Sequence, residues 1–223
     1  MPRVVIPWSA NNGPERRRAL RWIVKQYERW HPDWSIDIRT GDEGEWRKGA
    51  IVNAGIADAP PGVVIVADAD CWTTGLARSV MAVTCGAAEW AIPHFNVYRL
   101  SPKGTEVLIA SGVFKAEDAA RKYEGLAGGG FVVAERQTLL DVPMDERFVG
   151  WGQEDESWGF ALRTLAGSPE RGQANLLHLW HPSPERQDRR VGNPDGWRLM
   201  KSYGMLAKAN DADGMKELVS GAH

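Results

Sequence analysis

An α/β fold with a mostly parallel, Rossmann-like central sheet flanked by helices is the class this sequence predicts, on three observations. Strand-like and helix-like segments alternate from Arg3 to Asp70, the pattern that builds parallel sheets through helical crossovers. The stretch Val63–Ala67, "VVIVA", is apolar at every position, as a strand covered on both faces must be. It runs straight into Asp68 and Asp70, and open α/β sheets bind ligands beyond the carboxyl ends of their strands.

"RVVIP" (Arg3–Pro7) is short and β-branched, which predicts the first strand. After the Gly13-Pro14 break, Glu15–Trp30 spaces Leu20, Ile23, Val24 and Tyr27 at i, i+3, i+4 and i+7, a helix with one apolar face. "WSIDIRT" alternates Trp34, Ile36 and Ile38 with polar residues as a half-buried strand does, and "GDEGEWRKGAIVNAGIADA" reads as a turn feeding a helix that stops before Pro60 and Pro61. With Val63–Ala67 the order is βαβαβ. A helix over Leu76–Ala87 and a strand over Trp90–Leu100 follow, then a polar turn at "SPKGTEV" and a charged helix at "FKAEDAARKYEG". "AGGGFVVAERQTLLDV" joins three glycines to a strand-like run. "EDESWGFALRTLAG" places Trp158, Ala161, Leu162 and Leu165 on one helical face closed by Gly167. "NLLHLWHP" reads as the last strand, stopped by Pro182. The charged, Pro- and Gly-bearing stretch "SPERQDRRVGNPDG" has the length of a functional loop such as a lid, and the tail after Asn210 reads as a loosely docked terminus.

With 223 residues, 43% hydrophobic, 25% charged and a net charge of −2, the composition is that of one soluble globular domain rather than a disordered or fibrous chain. No basic stripe accompanies the aromatics, so general nucleic-acid binding is not expected. Cys71 and Cys85 form no C-x-x-C pair, and "MPRVVIPW" carries no leader or long apolar run. A reduced, cytoplasmic compartment without a membrane span is the expectation. Eleven tryptophans stand out, because sugar and base rings stack on aromatic faces, although several must serve the core.

Three constellations carry chemistry. Aspartates often do no more than mark strand ends, yet alternation along an extended segment would point Asp68 and Asp70 to one side, where two carboxylates repel unless a cation lies between them. A divalent metal is the simplest such cation. A lone histidine is usually structural, but His178 and His181 stand three apart in "HLWH". One carboxylate and two imidazoles leave about three positions of an octahedral ion for phosphate oxygens and water; Mn2+ suits such a set, and Mg2+ or another divalent ion is an alternative. In "GWGQEDESW", Glu154 and Asp155 open a helix whose dipole favours their charge, and an ionised carboxylate in a cleft can accept a proton from an attacking alcohol. The run "KAEDAARK" and Arg16 to Arg18 read as solvated faces.

With these residues in view, the chain resembles a nucleotide-sugar glycosyltransferase of the GT-A fold, and within that class the beta-1,4-galactosyltransferase family (glycosyltransferase family seven), over about residues 3 to 195. "ADAD" is similar to the family's "DVD", which implies Asp70 as a metal ligand and Asp68 near the ribose and the metal shell. "GDEGEWRKGAIVNAG" resembles "GDTIFNRAKLLNVG" and implies that Trp46 lies against uracil, with Lys48 and Asn53 near the donor; Pro7 at the end of the first strand joins these donor-binding residues. "GGFVVAER" looks like "GGVSALSK", which places Gly129 and Gly130 close to the sugar. "GWGQEDESWGFAL" is similar to "GWGGEDDDIFNRL" and implies Trp151 in the loop over the sugars, Glu154 as an acceptor contact and Asp155 as the catalytic base. "HLWH" takes the place of the family's "MIRH", so His178 and His181 are the implied remaining metal ligands.

The chain departs from the family in three ways: histidine replaces methionine at His178, Gln153 replaces a glycine, and the membrane anchor and secretory stem are missing, which points to a bacterial or phage-type enzyme. The resemblance implies one domain over residues 1–223, with a nucleotide-binding half at 1–75, an acceptor and catalytic half at 76–195 and a C-terminal helix and tail at 196–223. It also implies metal-dependent, inverting transfer of a hexose or N-acetylhexosamine from a UDP-sugar to a glycan, protein, lipid or modified-nucleotide acceptor. Two rival readings are a retaining enzyme similar to polypeptide N-acetylgalactosaminyltransferases, which share a related "WGGE" loop, and a catalytically silent glycan-binding module.

Overall fold

The structure, a computed structural model, describes residues 1–9, 12–41, 45–125, 128–182 and 193–221. The expected βαβαβ unit is present as β1 (Arg3–Trp8), α1 (Pro14–Trp30), β2 (Ser35–Thr40), α2 (Lys48–Asp58) and β3 (Val63–Ala67), with β1 parallel to both β2 and β3. Strand alternation sorts the apolar residues into two cores. Val4, Ile6 and Ile65 face α1, where Ala19, Leu20, Ile23 and Tyr27 complete the first core. Val5, Val64 and Val66 face the other way, onto Val52 and Ile56 of α2. Covering both faces explains why "VVIVA" has no polar residue, each such side chain contributing about 1.5 to 3 kcal/mol by burial.

Beyond β3 come β4 (Cys71–Thr73), α3 (Leu76–Thr84), β5 (Trp90–Leu100), α4 (Pro102–Ser111), a 3-10 turn at Ala116–Asp118, β6 (Ala119–Glu124), β7 (Phe131–Glu135), α5 (Arg136–Asp141), α6 (Glu154–Leu165), β8 (Glu170–His178), α7 (Pro194–Ala209) and α8 (Ala212–Ser220). The strand order is β2-β1-β3-β7-β5-β8-β4, with β6 paired to β5. The α/β class holds and the sheet within it is mixed: β7 runs antiparallel to β3 and β5, β4 antiparallel to β8, and β5 parallel to β8. Two of these pairings place the site. Cys71 lies opposite His178 across the β4–β8 ladder, and Arg99 lies beside His178 across β5–β8.

Several local expectations are corrected. "SPKGTEV" opens α4 rather than forming a turn: Ser101 caps it by accepting from the Gly104 amide, Pro102 occupies its first turn, and Gly112 closes it at φ 71°. The charged segment expected to be helical is the 3-10 turn and then β6, which is tied to the sheet through β5 and carries its charges outward as edge strands do. The tail after Asn210 is not loosely docked. Asp211 caps α8 through the Gly214 amide, and Met215 and Val219 are buried in the second core beside Trp158, Leu162 and Tyr203. Residues 183–192 of the expected lid lie outside the described residues, and its last three, Pro194–Gly196, begin α7 behind the Asn193 cap. The exposed edge of α1 also holds what the sequence hid: Arg18, Arg21, Lys25 and Arg29, spaced by three or four, form a basic stripe beside Trp22 and Trp30.

Four tryptophans, Trp22, Trp72, Trp90 and Trp158, are buried. The Trp90 indole donates to Gly167 O at 2.7 Å and the Trp158 indole to Val142 O at 2.8 Å, as buried indoles require. Among the described residues no helix is long and apolar enough to cross a membrane. Met215 has no exposed surface, so Met215→Ala should destabilise the protein by about 2 to 5 kcal/mol in denaturant titration; a change within about 0.5 kcal/mol would mean that α8 is not part of the core.

Candidate donor and metal site

The carboxyl ends of β3 and β8 meet the amino-terminal turns of α1, α2 and α6 at one rim of the sheet. β3 ends at Ala67, and the chain turns at once: the Asp68 amide donates to Gly130 O at 3.0 Å and the Cys71 amide to Asp68 O at 3.2 Å. A turn has no twofold alternation, so the two carboxylates do not share one side as extended geometry predicted. Asp70 meets the histidines and Asp68 meets Lys48.

Asp70 is buried, with His181 Nε2 3.1 Å from its Oδ2 and His178 Nε2 3.9 Å from its Oδ1. One ligand atom from each of the three residues lies within 4.8 Å of the others. His178 Nδ1 is 3.0 Å from Leu179 O and His181 Nδ1 2.8 Å from Pro182 O. Carbonyls only accept, so each Nδ1 bears a hydrogen, and each Nε2 faces Asp70, as a donor to the carboxylate when protonated and as a lone pair for a metal when not. Burial pushes the Asp70 carboxyl up, but His178, His181 and the Arg16 guanidinium outweigh burial and hold it well below the usual carboxylate range. Burial lowers His178, favouring the neutral, ligating imidazole. Three converging acceptor atoms of carboxylate and imidazole type fit a divalent ion, because bonds of about 2.0 to 2.2 Å reach across roughly 4.4 Å.

Two arginines, neither expected from the sequence as a site residue, face the same atoms. Arg99 Nη1 is 3.3 Å from His178 Nε2; Arg16 Nη2 is 3.1 Å from His181 Nε2, and Arg16 Nε 3.5 Å from Asp70 Oδ2. Arg16 therefore does not belong to the solvated edge of α1. A signal for it existed: Arg16 precedes Leu20 by four residues and so shares the inward face. Arg99 had none, because its position depends on the long-range pairing of β5 with β8.

Lys48 opens α2, is 6% exposed, and donates at 2.7 Å both to Asp68 Oδ1 and to Asp155 Oδ1. Burial alone would lower its pKa, but Asp155, Asp68 and Glu154 raise it well above the ordinary lysine value. Asp155, in the first turn of α6, has 29% of its side chain exposed. Burial pushes it up to about 7 against the opposing pull of Lys48, with Asp68 and Glu154 adding to the rise. Burial likewise raises Glu154, whose Oε2 has no hydrogen-bond partner among the described residues. Gly128, at φ 87°, lets the glycine turn press against α6: a Cβ there would lie 2.0 Å from Asp155 O. Gly129 follows it, and Gly130 tethers Asp68 through its carbonyl.

Trp46 and Trp151 stack with ring centroids 5.1 Å apart, and the Arg16 guanidinium lies 4.3 Å from the Trp151 ring centroid. The Gly150 amide donates to Trp46 O at 2.8 Å, and the loop through Gly150, Gly152 and Gln153 has positive φ at all three residues, leaving Trp151 51% exposed. Asn53, implied to lie near the donor, has its amide taken up elsewhere. It donates to Met144 O and Glu146 Oε1 and accepts from the Met144 amide, pinning the loop that follows α5. Pro7 is buried next to the last residue of β1, paired with Arg39.

No family model matches the chain, and no curated protein matches it. Solved structures do. GalNAc-T7 in complex with UDP, GalNAc and Mn2+ matches 100% of this chain and 55% of its own at 11% identity, with a TM-score of 0.55. Glucosyl-3-phosphoglycerate synthase from Mycobacterium tuberculosis with Mg2+ and UDP matches over 93% of this chain and 79% of its own at 13% identity, TM-score 0.53. A Drosophila beta-1,4-galactosyltransferase 7 mutant with manganese, UDP-Gal and xylobiose matches 77% of this chain and 65% of its own at 13% identity, TM-score 0.44. The chain thus spans 65% and 55% of the galactosyltransferase and GalNAc-T7 chains. At these identities the likeness shows the fold, and the fold is GT-A. Because Arg16 places positive charge among the three acceptors, Arg16→Ala should tighten binding of Mn2+ alone by about tenfold, about 1.4 kcal/mol, read by electron paramagnetic resonance of free Mn2+. Unchanged or weaker binding would show that Arg16 does not compete for the site.

Proposed function

We propose that the protein is a divalent-metal-dependent glycosyltransferase that moves a hexose or N-acetylhexosamine from a UDP-sugar to an acceptor hydroxyl, with inversion at the anomeric carbon. The observation that carries this reading is the juxtaposition, at one rim of a GT-A sheet, of the Asp70–His178–His181 triad with a lysine-bridged carboxylate at a helix start. The ligands in the GalNAc-T7 and mycobacterial synthase complexes, UDP with Mn2+ or Mg2+, are of the kind this donor set would take.

Asp70, His178 and His181 would hold Mn2+, Mg2+ or another divalent ion, which when bound offsets the charge on the diphosphate leaving group. Arg16 and Arg99 have the reach and the forked donors to release the imidazoles and bind phosphate oxygens. Trp46, once parted from Trp151, offers a ring face to uracil. Asp155 accepts the proton of the attacking hydroxyl, and Glu154 Oε2, buried and lacking a partner among the described residues, is available to the acceptor. Lys48 holds Asp155 and Asp68 in register and lowers the pKa of the base. A β-linked product from an α-linked UDP-sugar would support this assignment, and an α-linked product would move the reading to the retaining class.

Mn2+ with UDP at about a hundredfold excess over Kd should stabilise the protein by about 2.7 kcal/mol, a rise in Tm of roughly 5 to 10 °C, and Asp70→Asn should remove that response. No Mn2+-dependent shift with UDP or any UDP-sugar would overturn the donor assignment. Asp155→Asn should abolish transfer while UDP–Mn2+ binding persists; loss of both would argue against the base role. Because Asp155 sits near 7, kcat/KM should rise with pH through about that value, where the carboxylate becomes the majority form. In Lys48→Met the rising limb should move to higher pH, since the cation that lowers the pKa is gone.

A further inference from the structure

A groove of about 880 Å³ runs between α1 and α4, beside the metal triad rather than over it. Its floor includes Thr73 on β4, three residues beyond Asp70, and Leu177 on β8, adjacent to His178. One wall is the basic stripe of α1. Arg18, Arg21, Lys25 and Arg29 are exposed, and eleven residues at about 1.5 Å each spread them over about 16 Å. None of the four forms an ion pair among the described residues, and no acidic residue lines the groove. Four unneutralised cations thus share one cleft in a chain whose net charge is −2, which selects for an anionic ligand.

The other surfaces narrow the choice. The other side is lined by the small residues Ala110, Ser111 and Gly112 at the end of α4, and by Phe114. Trp30, 60% exposed, closes the far end with Arg29 against its ring. Thr74, Gln26 and Asn175 offer neutral hydrogen-bonding groups. Aromatic faces with hydroxyl and amide partners suit pyranose rings, and the groove adjoins the rim where a hydroxyl would be glycosylated. Hydroxyls are dense on a glycan and sparse on a nucleic acid.

We propose that this groove binds an anionic glycan chain and leads its acceptor end to the Asp70 rim, an inference that rests on the glycosyltransferase reading for the acceptor role alone. The test is calorimetry on the intact protein without metal or nucleotide, with a hexameric polyuronate, a neutral glucose hexamer and a single-stranded oligonucleotide of equal charge as probes. UDP–Mn2+ binding is measured in parallel. The polyuronate should bind, the neutral hexamer should not, and raising salt from about 50 to about 200 mM should weaken the complex several-fold. Arg21→Glu with Lys25→Glu, both exposed, should weaken polyuronate binding at least tenfold while melting temperature and UDP–Mn2+ affinity stay unchanged. Oligonucleotide binding tighter than polyuronate binding would overturn the glycan assignment; failure of every anionic probe, or indifference to the charge reversal, would overturn the site. Lost UDP–Mn2+ binding with polyuronate binding intact would sink the transferase reading and leave the groove as a glycan-binding surface.

Discussion

An ammonium sealed from solvent must be matched by anions or lose its proton. Lys48 is nearly sealed, and it stays charged because Asp68 and Asp155 each meet its nitrogen at 2.7 Å. Those carboxylates come from distant parts of the chain, one from the end of β3 and one from the start of α6. Their shared cation therefore ties both halves of the rim together. Removing one partner of such a buried arrangement typically costs about 3 to 5 kcal/mol, so this contact constrains where Asp155, the turn after β3 and the opening of α2 can sit. The glycine turn before β7 accommodates the same constraint, with Gly128 against the Asp155 carbonyl and Gly130 holding the Asp68 amide.

The neighbouring triad follows the same electrostatic logic with a different cation. Asp70 and the Nε2 atoms of two imidazoles converge on one point, and Arg16 and Arg99 bring positive charge beside them. Arg16 also lies against Trp151, which stacks on Trp46, so the triad, the tryptophan loop and the Trp46 ring form one connected set of contacts. Movement of Arg16 would loosen the whole set. Further along the same helix, the cations of the basic stripe form no ion pair among the described residues. Cations are paired inside the rim and form no ion pair among the described residues in the groove.

Much of this was legible in the primary structure. Period-two and period-3.6 patterns are local properties, so β1, α1, β2, α2, β3, β5 and α6 could be read from composition and spacing. Asp70, His178, His181 and Asp155 could be singled out because their chemical types cluster in short motifs. The failures are equally physical. "SPKGTEV" carries a Ser-Pro helix start that its polarity concealed, and β6 is charged because it lies at an edge, where a helix-like composition is tolerated. Asn53, singled out by its motif alone, spends its amide on the loop after α5, a pairing that no local pattern records.

The sequence by itself determined the α/β class, the order of the N-terminal elements and the chemical kinds of group available at the end of β3, because each depends on residues within a turn or two of one another. Only the tertiary structure decided which carboxylate faces which cation. It sent Asp68 to Lys48 and Asp70 to the histidines, brought Arg99 to His178 through a strand pairing across 79 positions, docked α8, and set four cations of α1 against the wall of α4. Those outcomes depend on packing and pairing between segments far apart in the chain, where one buried charge must find its partner in three dimensions and no local pattern records where that partner lies.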